Sequence, residues 1–187
     1  MPPPPLPTAR NPMIDSMAKI SLVLGVAWLL CALGQLAVLA VLPAGTLQGV
    51  VARIGIALPA LLQWCLDHVW ALSLLSALLA LLFCAAAWGL LRRREWARLS
   101  FVAFLIVTGL ANFASLPVLW QCFAALDQVL PAAMRHTAEG AQLLGQLQAG
   151  RTISIATAAV TALVFAALHG WIAYQLYRPA IRAEFRR

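Results

Sequence analysis

The chain has 187 residues, of which 63% are hydrophobic and 10% charged, and its formal net charge is +7. Soluble domains average roughly 45–50% apolar and about 25% charged residues, so this composition excludes an ordinary soluble domain. A basic balance in a soluble chain would favour nucleic acid. Here the placement of the charges between apolar stretches indicates a lipid bilayer as the partner and no nucleic acid.

Four apolar stretches predict the architecture. A helix crosses a hydrocarbon core of ~30 Å with about 20 residues, and each stretch reaches that length. We therefore expect an all-α membrane protein, a four-transmembrane-helix bundle formed by residues 20–177. A proline-rich tail (1–19) precedes it and a basic tail (178–187) follows it. The expected spans are residues 20–42, 68–91, 97–120 and 152–177.

The positions of the basic residues predict an orientation. Ten of the 13 Lys and Arg lie before the first span, between spans two and three, or after span four, and three lie in the two longer gaps. By the positive-inside rule, both termini should be cytoplasmic and the longer gaps should face the periplasm. The style of the sequence favours a bacterial inner membrane. The first span exceeds a usual signal core and should be a retained helix.

The segments outside the spans have different characters. The opening MPPPPLPTARNP favours extended polyproline II and a spacer role. The first outer gap, residues 43–67, predicts an amphipathic helical segment with a break at Pro59. The second, residues 121–151, predicts similar segments on either side of Pro131, with Thr137 as a helix cap before span four.

The short cytoplasmic connection RRREWARLS predicts an antiparallel hairpin of spans two and three. Arginines at such a position contact lipid phosphates, and tryptophan lies at the level of the headgroups. The expected headgroup anchors are Arg92, Arg93, Arg94, Trp96 and Arg98.

Neutral polar residues within the spans form a second candidate feature. Apart from Arg98 at the edge of span three, no Asp, Glu, Lys or Arg lies in a span, which argues against a proton-coupled pump. One polar residue from each span falls ~10–14 Å below the outer surface. Such a layer either forms interhelical hydrogen bonds or lines a binding site. Its members are Gln35, Ser76, Asn112 and Thr161.

Small residues repeat at four-residue intervals in span four. This ridge lets another backbone approach closely, either within the bundle or in a homo-oligomer. Its members are Ser154, Ala158, Ala162, Ala166 and Gly170.

Metal and cofactor chemistry finds little support. The three histidines fall at different depths, so they predict neither a haem nor a metal site, and no cofactor is expected. Cys65 and Cys122 lie at the outer ends of spans two and three. They either form a disulfide in an oxidising periplasm or remain free thiols.

Catalytic motifs are missing from the sequence. It contains no GxSxG, HExxH or phosphate-binding glycine loop, so no catalytic residue is assigned and an enzyme is not expected. The four-span layout is similar to that of quinone-linked thiol oxidases. Those proteins use two outer cysteine pairs, one spaced CxxC, and this chain has neither.

Two segments resemble those of small four-span inner-membrane proteins of GC-rich bacteria. They are the connection between spans two and three, LLRRREWARLSFVAF, and the tail AYQLYRPAIRAEF. This resemblance implies an inner-membrane location and no particular activity. The residues themselves favour a non-enzymatic structural or accessory subunit that packs against itself or a membrane partner. The alternatives are a transporter or lipid-handling protein with a cavity under the outer loops and, third, a thiol or quinone redox protein.

Overall fold

The structure, a computed structural model, describes residues 11–43, 45–54, 58–126 and 137–185. The prediction of an all-α chain with four membrane-crossing helices is confirmed over these residues, because four of their helices are long and apolar enough to cross a membrane. The helices are α1 (Pro12–Val41), α2 (Thr46–Ile54), α3 (Ala60–Asp67), α4 (Val69–Leu91), α5 (Glu95–Leu126), α6 (Ala138–Tyr177) and α7 (Pro179–Phe185). The four long apolar helices are α1, α4, α5 and α6.

Some expectations concern residues outside these ranges. They include the proline-rich opening, the apolar segment around Pro131 with His136, and the last two arginines, Arg186 and Arg187.

Helix α1 begins inside the segment expected to be a tail. The Asn11 side chain accepts a hydrogen bond of 3.0 Å from the backbone N–H of Met13, and Pro12 occupies the first helical position. Both features favour a helix start, because they satisfy or remove N–H groups that have no partner in the first turn. The span that was expected to begin at Ile20 is therefore part of a helix that already begins at Pro12.

The connection between α4 and α5 is a tight turn centred on Arg93. The N–H of Arg93 donates to the carbonyl of Leu90, and the N–H of Arg94 donates to the carbonyl of Gly89, each at 3.0 Å. These are the two bonds of a Schellman motif, which requires a left-handed residue after the C-cap. Arg93 takes that conformation with φ 55°, so α4 and α5 form the expected hairpin.

The long helices pack in chain order. Helix α1 lies against α4, α4 against α5, and α5 against α6. Glycines mark two close approaches. A Cβ at Gly25 of α1 would lie 2.8 Å from the Cys84 sulfur of α4, and one at Gly89 would lie 2.5 Å from the Cβ of Ala97 in α5.

The main apolar cluster lies at the end of the helices that holds the α4–α5 turn, the start of α1 and all of α7. We call this the hinge end. Ile14, Leu90 and Leu176 are fully buried there, and Ile181 and Phe185 of α7 close over them. Elsewhere large apolar side chains are mostly exposed, as expected where acyl chains rather than protein cover a helix. The protein core is thus concentrated at one end.

The opposite end carries longer helices than the sequence suggested. Helix α6 has 40 residues, because Thr137 caps it by accepting a hydrogen bond of 3.1 Å from the N–H of Gly140. The predicted cap is confirmed. Arg151 of α6 lies 3.4 Å from the ring centroid of Trp120 in α5, which joins the two helices by a cation–π contact.

Candidate functional site

The most strongly connected polar group in the described residues is a pair of arginines at the hinge end. Arg93 lies in the turn after α4, and Arg98 lies on the first turns of α5. A charge removed from water is costly unless it is paired and hydrogen-bonded. The partners of these two side chains therefore determine how the hinge end is held.

Arg93 connects three parts of the chain. Its Nη2 donates to a carboxylate oxygen of Asp15 in α1 at 2.9 Å, and its Nε lies 3.2 Å from a carboxylate oxygen of Glu184 in α7. Nη2 also donates to the backbone carbonyl of Asn11 at 3.3 Å. The side chain is 10% exposed, so these contacts are shielded from solvent. Arg93 therefore ties the α4–α5 turn to the start of α1 and to α7.

Arg98 connects α5 to the end of α6. Its Nε and Nη2 donate to the two carboxylate oxygens of Glu95, and its Nη1 donates to the carbonyl of Leu176 at 3.3 Å. The guanidinium carbon lies 5.2 Å from the ring centroid of Tyr177. Carbonyls in the last turn of a helix lack intrahelical partners and carry partial negative charge, so a buried cation stabilises that end of α6.

The five expected headgroup anchors thus fall into two groups. Arg93 and Arg98 are directed into the protein, and Arg98 is only 2% exposed. Arg92, Arg94 and Trp96 are exposed, and the guanidinium of Arg92 lies over the ring of Trp88. Contact of the exposed three with lipid headgroups stays a prediction.

The structure divides the expected polar layer into separate contacts. Gln35 donates to Ser73 at 2.8 Å, and Ser76 accepts from the indole N–H of Trp28 at 3.1 Å, so both bonds join α1 to α4. Asn112 is half-buried on α5 and Thr161 is exposed on α6. Ser73 and Trp28 were not singled out from the sequence. Trp28 precedes Gln35 in α1, whereas the partner of Trp28 follows that of Gln35 in α4, and this reversed order, which fits antiparallel helices, is the signal that could have found them.

The small-residue ridge of α6 lies partly on the side that faces α5. Ala162 is 2% exposed, and Ala166 and Gly170 line a groove shared with α5. Ser154 and Ala158 are half-buried. This placement fits packing within the chain, and a homo-oligomer through the ridge stays a prediction.

The other chemical expectations add no site. Cys65 and Cys122 are half-buried and are not joined by a disulfide in this structure. Their pairing under oxidising conditions stays a prediction. Among the described residues, no three His, Cys, Asp or Glu side chains are grouped as metal ligands. The arginine cluster itself is suited to a structural role, because the three carboxylates of Glu95, Asp15 and Glu184 offset the two positive charges.

Comparisons with known proteins add no functional information for this chain. No protein-family model, curated protein or solved structure matches it.

Proposed function

We propose that this chain is a non-enzymatic accessory or structural protein of a membrane, which acts by packing against a membrane partner or a second copy. The main support is the length and position of helix α6. Helix α6 is much longer than a bilayer needs, and it lies at the edge of the packed helices.

The length of α6 supports a docking role. Its 40 residues extend ~60 Å, about twice the hydrocarbon thickness. The apolar span expected from Thr152 to Tyr177 accounts for the second part of the helix. The first part, residues 138–151, would project ~20 Å beyond it.

The surface of this projection is amphipathic. Leu143 is 41% exposed, and Leu144 and Leu147 are half-buried next to exposed polar residues such as Gln142. Apolar anchors at such spacings are typical of a helix that docks in an apolar groove. Outside the acyl-chain region, lipid cannot cover these leucines, so a protein partner is the favoured occupant.

The arginine cluster stabilises the hinge end of the protein. It joins the α4–α5 turn to the start of α1, the end of α6 and α7. Few residues of α6 are buried further along. We propose that the spans form a bundle closed at the hinge end, in a bacterial inner membrane, with the hinge end and both termini cytoplasmic. The ten basic residues that the sequence places before span one, around the connection of spans two and three, and after span four support this orientation.

In-membrane photocrosslinking tests the proposal. A photoreactive amino acid at Leu143 should give a discrete protein adduct, whose mass identifies a partner or a second copy. The matched control is Leu78 of α4, which is 52% exposed within a span and should label lipid only. If Leu143 gives no protein adduct in native membranes, the accessory role is contradicted.

A cavity favours a second candidate function, the handling of a small molecule. About 140 Å³ of space lies between the end of α1, helix α2 and the start of α4, and its lining is mixed, with Leu39 and Trp70 beside Thr46 and Asp67. A space of ~150 Å³ holds a molecule the size of benzene. Copurification of one small compound, lost in Leu39→Trp protein, would favour this role.

A further inference from the structure

A cleft with a mixed polar and apolar lining lies at the hinge end, where the start of α1, the end of α6 and the start of α7 meet. Its volume is about 390 Å³, within the range of about 300–1,000 Å³ that is typical of small-molecule sites. Asn11, Gln175 and Arg178 supply its polar lining, and Met13 and Pro179 belong to its apolar lining. Arg178 and Pro179 are exposed, so the cleft can be entered from outside the protein.

The positive charge of Arg178 has no carboxylate partner among the described residues. Its Nη1 donates to the side-chain oxygen of Gln175 at 3.1 Å, which leaves other N–H donors of the guanidinium for a further acceptor. The nearby carboxylates of Asp15 and Glu184 pair with Arg93 instead. The cleft therefore presents an accessible cation that an anion can neutralise.

The position of Arg178 at the end of a membrane-crossing helix places the cleft at the level of the lipid headgroups. Arg178 directly follows Tyr177, the last residue of α6, and both Tyr174 and Tyr177 are exposed. Tyrosines are enriched at the boundary between hydrocarbon and headgroups. Arg182 follows Arg178 by one turn and likewise has no carboxylate partner among the described residues. The local charge therefore favours an anionic headgroup over a zwitterionic one, whose ammonium group would meet two cations.

We propose that this cleft binds the phosphate of one anionic phospholipid, with Arg178 as the phosphate ligand. A guanidinium binds phosphate through two parallel N–H···O bonds, and basic pockets at the ends of transmembrane helices recognise anionic headgroups. Met13 and Pro179 would contact the glycerol part of the lipid, and its acyl chains would lie along the exposed apolar side of α6. The site does not depend on the accessory role.

Lipid titration of the full chain in a mild detergent, followed by native mass spectrometry, tests this site. Dioleoyl phosphatidylglycerol should form a one-lipid adduct about tenfold more tightly than dioleoyl phosphatidylethanolamine, which has the same acyl chains. Equal affinity for the two lipids would overturn the proposal. Inorganic phosphate, titrated separately, should bind far more weakly than phosphatidylglycerol. Equally tight binding of inorganic phosphate would show a site for the free anion and would also overturn the proposal.

A charge-matched pair of variants separates the cleft from general attraction to a basic surface. Arg178→Gln should weaken phosphatidylglycerol binding about tenfold, because a hydrogen-bonded charge pair is lost. Arg92→Gln is the control, since Arg92 is exposed at the same end, does not line the cleft and removes the same charge. Equal losses in the two variants would show that surface charge alone attracts the lipid, which would contradict the proposal.

A second pair of variants tests the cleft without changing any charge. Ala180 lines the cleft and is exposed, so Ala180→Trp should fill the cleft and abolish the preference for phosphatidylglycerol. Ala183→Trp is the matched control, because Ala183 is exposed on the same helix outside the cleft lining. Unfolding in detergent micelles shows that each variant is folded. An unchanged lipid preference in folded Ala180→Trp protein would contradict the proposal.

Discussion

Arg93 illustrates how a single residue determines the local geometry of the hinge end. The left-handed position after a helix C-cap is normally glycine, and another residue there costs roughly 1–2 kcal/mol. Arg93 occupies it with φ 55° and directs its guanidinium to Asp15 and Glu184. We infer that these ion pairs offset the backbone cost.

Replacement of Arg93 tests this balance. Arg93→Met should lower the free energy of unfolding by about 2–3 kcal/mol, because two partly buried carboxylates lose their cation. The loss should be smaller than that for a fully buried pair, since Asp15 is 30% exposed. Arg93→Gly should lose about 1 kcal/mol less than Arg93→Met, because glycine relieves the left-handed backbone. Unfolding in detergent micelles gives these values.

Arg94→Met is the matched control for this series. Arg94 is the next residue and is exposed, so its replacement should change stability by less than about 0.5 kcal/mol. Equal losses for Arg93→Met and Arg94→Met would show that the cluster does not stabilise the hinge end.

The sequence was least informative about the contacts of individual residues. The run RRRE marks a basic turn, but its letters do not show which arginine turns inward. That depends on the left-handed backbone of Arg93 and on Asp15, which lies 78 positions away in the sequence.

At the scale of elements, helix contacts depend on where side chains are absent. Gly89 of α4 lies directly against Ala97 and Trp96 of α5.

Hydrophobic length was enough to predict the helices, because crossing a bilayer imposes it. Their ends were less predictable, since they depend on the caps at Asn11 and Thr137 and on the helical continuation beyond the apolar stretches.

Gly89→Ala tests the close approach of α4 and α5. The added Cβ would lie 2.5 Å from that of Ala97, which cannot rotate away. We expect a loss of about 1–3 kcal/mol from overpacking, despite the better helix propensity of alanine. Gly34→Ala, whose Cβ has no atom of the described residues within 4 Å, should be neutral or stabilising. A stability gain in both variants, measured by detergent unfolding, would rule out a tight α4–α5 contact.

At the scale of the whole molecule, charge is arranged in two layers at the hinge end. The inner layer contains Arg93 and Arg98 with their three carboxylates. The outer layer consists of the exposed described cations at that end, namely Lys19, Arg92, Arg94 and Arg178, whereas Arg182 is half-buried. Because three carboxylates offset the two charges of the inner layer, the outer layer is left to contact anionic headgroups.

This layering predicts the orientation of the protein. With a cytoplasmic hinge end, green fluorescent protein fused after Arg187 should fluoresce, and a periplasmic phosphatase fused there should be inactive. A cysteine at the exposed position Gln142, in a background without native cysteines, should react with an impermeant maleimide added outside intact cells. Protection of that cysteine together with an active phosphatase fusion would reverse the orientation.

Native mass spectrometry of the protein extracted from its own membrane in a mild detergent tests the accessory role most directly. We expect a stable complex, with the mass of a second membrane protein or of a second copy added to the 20.1 kDa of one chain. Detection of the single chain alone, with no protein partner at any detergent concentration that preserves its fold, would contradict that role.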